Sequence, residues 1–269
     1  ESVAVIIIGR NSASYLDVCL TSVIAQTVKP EEMVYVDDAS DDGSLEIAAR
    51  FKEQGLRIIA HDHNLGMSAA RMAGVEATTS ALLLFVDSDN ELPPDYLATM
   101  LKDLGTNDFV YPAKQFIGEQ RALERRLRFH PTGEWTPGEA DRAALWRENY
   151  ADTCSLLRRD AFLAAGGWRD NPADTMFDWD LFLRMSGRGP HARSSARLRY
   201  RVHENNWSER ERSQDRLALN GLVRRQAASL TVATIWSGRI PKLRKAWIEA
   251  IARSLEHSGK TAELLVLDD

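Results

Sequence analysis

Four times within the first 105 residues an apolar run of strand length gives way to a segment of helical period. Few architectures accept that order: strands alternating with helices pack as a parallel sheet with helices on its faces, because each crossover returns the chain to the same end of the sheet. Val3 to Ile8 is almost entirely β-branched, the mark of a strand covered on both sides. Leu16, Leu20, Val23 and Ile24 recur at helical spacing, so residues 13 to 27 are predicted to form an amphipathic helix ending before Pro30. Met33 to Val36 is the second strand, and the helix after it runs to Gly55, a C-terminal cap. Leu56 to Ala60, a helix over Met67 to Ala77, the strand from Leu82 and a helix carrying Leu97, Met100, Leu101 and Leu104 complete the series. The predicted fold class is α/β, a doubly wound, mostly parallel sheet with helices on both faces.

Strands of such a sheet collect ligands at their carboxyl ends. Two of the four end in acid, Asp37-Asp38-Ala39-Ser40-Asp41-Asp42-Gly43-Ser44 and Asp87-Ser88-Asp89-Asn90. Carboxylates two residues apart offer hard oxygens that suit Mg²⁺ or Mn²⁺ holding a diphosphate better than zinc. Spacing alone says little. With 21 Asp in 269 residues, chance gives about 1.6 Asp-x-Asp matches, and the chain has two, at 87 and 178. Placement at the end of the Leu82 strand makes the first one informative. No Gly-x-Gly-x-x-Gly follows the first strand and no Gly-Lys-Ser/Thr phosphate loop occurs, so a metal-held diphosphate is the remaining way to bind a nucleotide here.

Beyond Phe109-Val110-Tyr111-Pro112 the alternation stops. Residues 115 to 150 are charged and broken by Pro131, Gly133, Pro137 and Gly138, which predicts a long excursion or lid. A short strand is expected at Ser155 to Leu157, and a brief helix capped by Asp160 that stops at Gly166-Gly167-Trp168. A further helix begins at Phe177 with acids in its first turn, where the helix dipole favours them. Arg197 to His203 alternates as a strand, and 213 to 257 reads as helical, interrupted near Gly238 and Pro241. The expected division is 1–114, 115–210 and a helical extension over 211–269. Trp135, Trp146, Trp168, Trp179 and Trp207 crowd the second half, where they either fill the core or stack on a sugar.

A net charge of −5 and a pI near 5.8 exclude a generic nucleic-acid surface, and the basic stretch Arg121 to Arg128 reads as a solvated helix face. Cys19 and Cys154 are too few for a disulfide framework and fit a reducing compartment, with Cys19 expected in the core. No apolar run approaches the ~18 residues of a membrane span. A soluble, cytoplasmic protein is expected. The chain starts without Met and stops within a strand-like run, as a piece of a longer protein would.

Eight pieces of this sequence, in register, resemble the family-two glycosyltransferases of the GT-A fold. They are residues 7 to 11 (Ile-Ile-Gly-Arg-Asn), 20 to 27, the Val36 to Ser44 acid cluster, Asn64 to Arg71, Asp87-Ser88-Asp89, Gly166-Gly167-Trp168, Asp178 to Arg184 and Tyr200-Arg201-Val202-His203. The resemblance covers roughly residues 1 to 208. It implies an inverting hexosyltransferase of the kind used in polysaccharide biosynthesis, taking a nucleotide-sugar donor, with UDP favoured, and a glycan or glycosylated acceptor. It also implies a cofactor, Mn²⁺ or Mg²⁺. Asp38 is similar to the carboxylate that accepts the uracil N–H. Asn64 and Arg71 resemble residues near the nucleotide and its phosphates, Arg71 reading equally as a solvated helix charge, and Ile8, Arg10 and Ser88 fall among the nucleotide-binding positions. Asp87 resembles the acid facing the ribose and the metal shell, Asp89 the direct metal ligand and His203 the C-terminal metal histidine. Asp178 matches the general base. Here the sequence departs from the family: Phe177 stands where an acid usually precedes, which leaves Asp180 as a rival base and a catalytically silent sugar-nucleotide-binding module as an alternative. A sugar nucleotidyltransferase is a second alternative, with little support in the Gly9-Arg10-Asn11-Ser12 loop.

Overall fold

The structure is a computed structural model that describes residues 1–147, 149–169, 177–204 and 206, together with the backbone of 231–234 and 263–266. Its frame is a mixed sheet in the order β3-β2-β1-β4-β7-β5-β6, with β8 beside β5. The strands β1 (Val3–Gly9), β2 (Glu32–Asp37), β3 (Leu56–Ala60) and β4 (Leu82–Asp87) are mutually parallel, as expected. Their helices are α1 (Ala13–Ile24), α2 (Ser44–Ala49), α3 (Met67–Glu76) and α4 (Tyr96–Leu104).

The period-two geometry of β1 sorts its side chains between two cores. Ala4, Ile6 and Ile8 face the layer of α3, while Val3, Val5 and Ile7 face α1, α2 and α4. Helices on both faces explain why β1 has no polar residue among its six buried positions. Cys19 lies in the second core, fully buried beside Leu16 and Leu20.

The second half departs from the sequence reading at three places. β5 (Phe109–Gly118) does not stop at Pro112 but runs six residues further, so 115 to 118 are strand rather than lid. Proline lacks a ladder N–H, and the β5–β8 register shifts between Tyr111 and Ala113, which accommodates it. β8 (His191–Val202) is correspondingly longer than expected. The rest of the excursion holds α5 (Gln120–Leu127), the two-residue β6 (Glu134–Trp135) and α6 (Arg142–Arg147). β7 (Leu156–Arg158) enters between β4 and β5 antiparallel to both, then α7 (Arg159–Ala164) and α8 (Phe177–Ser186) pack on the α3 side.

The third departure is in the last sixty residues. Thr231–Thr234 is a strand, β9, paired parallel to β10 (Glu263–Val266), where helix was expected. Thr-Val-Ala-Thr is β-branched at three of four positions, which favours strand. The remainder of 213 to 257 lies outside the described residues. No helix among the described residues is long and apolar enough to cross a membrane.

Candidate functional site

The chain leaves β1 for β2 and β3 on one side and returns to β4 on the other. The strand order thus reverses between β1 and β4, a switch point of the kind at which open α/β sheets bind ligands. A cleft of about 450 Å³ opens there. Gly9 ends β1 on its floor, where a Cβ would lie 2.3 Å from Ser88 Oγ and 2.8 Å from Ser88 Cβ, so a side chain there would displace Ser88. Ile8, Arg10, Asn64 and Ser88 line the cleft with the acids Asp38, Asp87 and Asp89 and with His203. Arg71 and Asp178, the other two expected site residues, are not among the residues that line it.

Of the acids that follow β2, only Asp38 lines this cleft. Asp37 is fully buried and accepts hydrogen bonds from Tyr35 Oη (2.9 Å), Ser40 N (2.8 Å) and Ser40 Oγ (2.6 Å). Asp42 turns to α1, which lacks a capping side chain of its own, and accepts from Ala13 N at 2.9 Å. Asp38 accepts from Leu65 N (2.8 Å), Gly66 N (2.9 Å) and His61 Nδ1 (2.8 Å) and so ties down the loop before α3. A carboxylate has about four acceptor sites, leaving Asp38 one for a ligand N–H.

The end of β4 divides in the same way. Asp87 pairs through Oδ1 with Arg71 Nη2 at 2.5 Å and accepts from Thr153 Oγ1 through Oδ2 at 3.0 Å. Arg71 is 1% exposed, which removes the solvated-charge reading. Its guanidinium lies 5.2 Å from the Trp168 ring and 4.6 Å from the Phe177 ring. The resemblance implies an acid at position 177, and here an aromatic face meets the cation instead. Burial pushes the pKa of Asp87 up; Arg71 opposes this, while Asp89 and Asp152 add to it.

Asp89 sits on the open side. Its Oδ2 lies 3.1 Å from His203 Nε2, and Asn206 Nδ2 approaches the same oxygen at 3.5 Å. The His203 ring packs on Tyr15 at 4.9 Å, and its backbone N–H donates to Asn206 Oδ1 at 2.5 Å. β8 carries out this meeting: Arg201 N donates to Asn90 Oδ1 at 3.1 Å, which fastens the strand end to the loop after β4.

These residues fit a divalent cation only in part. Neighbouring ligands of an octahedral ion with bonds of about 2.1 Å sit about 3 Å apart, as Asp89 Oδ2 and His203 Nε2 do. Asp87 has both oxygens engaged elsewhere, and among the described residues no group of three or more His, Cys, Asp or Glu forms a cage. Such a pair suits an ion whose remaining ligands are phosphate oxygens and water.

On α8 the two acids separate cleanly. Asp180 is 3% exposed and accepts from Arg184 Nε (3.0 Å) and Nη2 (2.9 Å), while Arg184 also donates to the carbonyls of Ala165 and Gly167. It is a brace for the Gly166-Gly167 turn, with its Oδ2 held by Arg184. Asp178 accepts from its neighbour Trp179 N at 2.8 Å and from Asn149 Nδ2 at 2.9 Å. Burial raises its pKa; the two hydrogen bonds oppose that, Asp152 adds to it and Lys114 opposes it.

Sequence reasoning missed Lys114, Asn149, Asp152 and Thr153. Lys114 Nζ lies 2.5 Å from Asp152 Oδ2, between the rings of Trp135 (5.2 Å) and Tyr200 (4.7 Å). All four fall in or beside the stretch read as an excursion, and no periodicity marked them. Of the tryptophans, Trp168 and Trp179 are core, the latter donating from Nε1 to Leu145 O at 2.6 Å. Trp135 is half-buried over Lys114. The side chains of Trp146 and Trp207 lie outside the described residues.

A family model for glycosyl transferase family 2 matches residues 4–164. Among curated relatives, the glycosyltransferase GlyA of Streptococcus pneumoniae is 39% identical over 138 residues, covering 50% of this chain and 19% of the relative. The cholesterol galactosyltransferase of Borreliella burgdorferi is 36% identical over 200 residues, 68% of this chain and 56% of that protein. A PGL/p-HBAD biosynthesis glycosyltransferase of Mycobacterium bovis is 30% identical over 184 residues, 67% and 68% of the two chains. The chain thus spans between 19% and 68% of the length of these relatives. Among solved structures, S. aureus TarS 1-349 in complex with UDP-GlcNAc superposes with a TM-score of 0.65 at 17% identity, over 85% of this chain and 66% of that one. At that identity the likeness is one of fold.

Proposed function

This chain belongs to glycosyl transferase family 2, and from that premise we propose that it moves a sugar from a UDP-sugar to an acceptor hydroxyl with inversion at the anomeric carbon. The observation that carries the reading is the convergence of Asp38, Asp89 and His203 on one cleft at the β1/β4 switch point. Asp38, held by three donors, keeps one acceptor position for the uracil N–H. Asp89 and His203 would hold Mn²⁺ or Mg²⁺, which supplies charge to stabilise a departing diphosphate.

Asp178 takes the proton of the attacking hydroxyl. The acceptor oxygen bonds to the anomeric carbon as the bond to the diphosphate breaks, and the nucleoside diphosphate leaves with the electron pair. A pKa raised by burial suits a carboxylate to this work, since a general base is most effective with a pKa nearer the working pH. The binding-module alternative rests on Phe177, and the packing of that ring on Arg71 weakens it.

Calorimetry and turnover test the reading together. UDP should bind more tightly than GDP and more tightly with Mn²⁺ than with EDTA, and Asp38→Ala should erase the base preference. Asp178→Asn should slow turnover of a UDP-sugar by about 10²-fold or more with UDP affinity unchanged. A GDP preference, full activity of Asp178→Asn, or a product with retained anomeric configuration by NMR would each overturn the corresponding part.

A further inference from the structure

The Asn149 amide has a lopsided hydrogen-bond inventory. Its Nδ2 donates to Asp178 Oδ2 at 2.9 Å, and its Oδ1, screened from solvent, has no partner among the described residues. A screened acceptor left unpaired costs roughly 1–3 kcal/mol, so an amide here is a poor choice for stability alone. Leucine has nearly the same shape and would avoid that cost. Among the described residues, the one hydrogen bond that the amide makes and leucine cannot is the one to Asp178.

We propose that Asn149 is a positioning residue for the transfer reaction, holding the Asp178 carboxylate in one orientation and keeping it ionised. This rests on the reading of Asp178 as the base. Among the described residues, the charged groups that act on Asp178 are Asp152, on the turn before β7, and Lys114, on β5; from its own helix comes the Trp179 N–H, while Asp180 is turned to Arg184. Lys114 and Asp152 are paired with each other, so much of their effect on Asp178 cancels. Among the described residues, Asn149 is the neighbour outside the helix that touches the carboxylate with a hydrogen bond. That bond stabilises the charged form against burial, and its loss moves the pKa of Asp178 further up.

Asn149→Leu separates this role from a structural one. Leucine removes the unpaired Oδ1 but also leaves Asp178 Oδ2 without its donor, so any fall in thermal stability should be larger at alkaline pH, where Asp178 is ionised, than at acid pH. At pH values on the acid limb of the kcat/KM profile for UDP-sugar turnover, the variant should lose at least about threefold in rate, with the alkaline plateau within about twofold and UDP affinity unchanged. Carboxyl ¹³C NMR, with the Asp178 signal assigned by its absence in Asp178→Asn, should show the group titrating at higher pH in Asn149→Leu. Asn149→Asp, which places a second carboxylate beside the first, should move it further in the same direction. An unmoved Asp178 titration, or a variant that only loses stability, overturns the proposal. A wild-type protein that neither binds UDP nor consumes UDP-sugars overturns the parent reading instead, and the NMR titration still decides the Asn149 contact.

Discussion

Asp37 and Asp38 are neighbours with the same side chain and opposite fates, because successive strand residues point to opposite faces. One closes a turn; the other reaches the cleft. Asp178 and Asp180 part for the helical version of the same reason, successive residues lying about 100° apart. At this scale the Lys114–Asp152 pair carries the sharpest stability prediction. Burial works against ionisation of Asp152, but Lys114 and the Cys154 N–H hold its pKa below the usual carboxylate range. Its contribution is therefore fully present above the unfolded pKa of about 3.9 and is lost as pH falls through the lower folded value. Lys114→Met strands a buried carboxylate and should cost about 3–5 kcal/mol at pH 7 by chemical denaturation. Protonation of Asp152 relieves the variant, so the gap to wild type should narrow as pH falls towards about 4. A loss under about 1 kcal/mol at pH 7 would show that the pair is not energetically coupled.

β8 decides the site at the level of elements. It runs beside β5 from His191 to Val202 and delivers His203 to Asp89, a residue 114 positions earlier in the chain. The close fit at its far end rests on Gly118, which has φ +128° and would place a Cβ 2.1 Å from the Val202 carbonyl oxygen. An L side chain meets both an unfavourable backbone region and a backbone atom that must move. Gly118→Ala should destabilise the fold by about 1–3 kcal/mol and weaken the Mn²⁺ dependence of UDP binding, since Val202 leads directly into His203. Gly138→Ala is the control: a Cβ added there would meet nothing within 4 Å, so both properties should stay unchanged. Equal metal dependence in the two variants would show that strand placement does not govern His203.

Across the whole molecule the cleft draws on β1, β2, β4, the loop before α3 and the end of β8, so a ligand there binds the folded chain and not the unfolded one. UDP with Mn²⁺ at 100 times Kd should add about 2.7 kcal/mol, a rise in Tm of roughly 5–10 °C, and EDTA should remove most of it. No shift would argue that the cleft does not close on a nucleotide. The first four strand–helix units were legible because each strand is short and mostly apolar, with β1 and β4 buried almost throughout, so period and breaks are local properties of the chain. The acids at the strand ends were legible for the same reason. What each acid does was not, since Asp37 against Asp38, and Asp178 against Asp180, depends on partners such as Tyr35, Asn149 and Arg184 that no local pattern announces. Lys114, Asp152 and Thr153 were hidden for a related reason: strands that pair across long excursions bring them together, and a charged residue in such a stretch reads as solvated until its partner is known. The local alternation of apolar and polar residues thus determined the sheet, its helices and the end at which ligands gather. Only the long-range pairing of β5, β7 and β8 decided which side chains meet there, because hydrogen bonds and ion pairs between distant segments exist only once the backbone has closed.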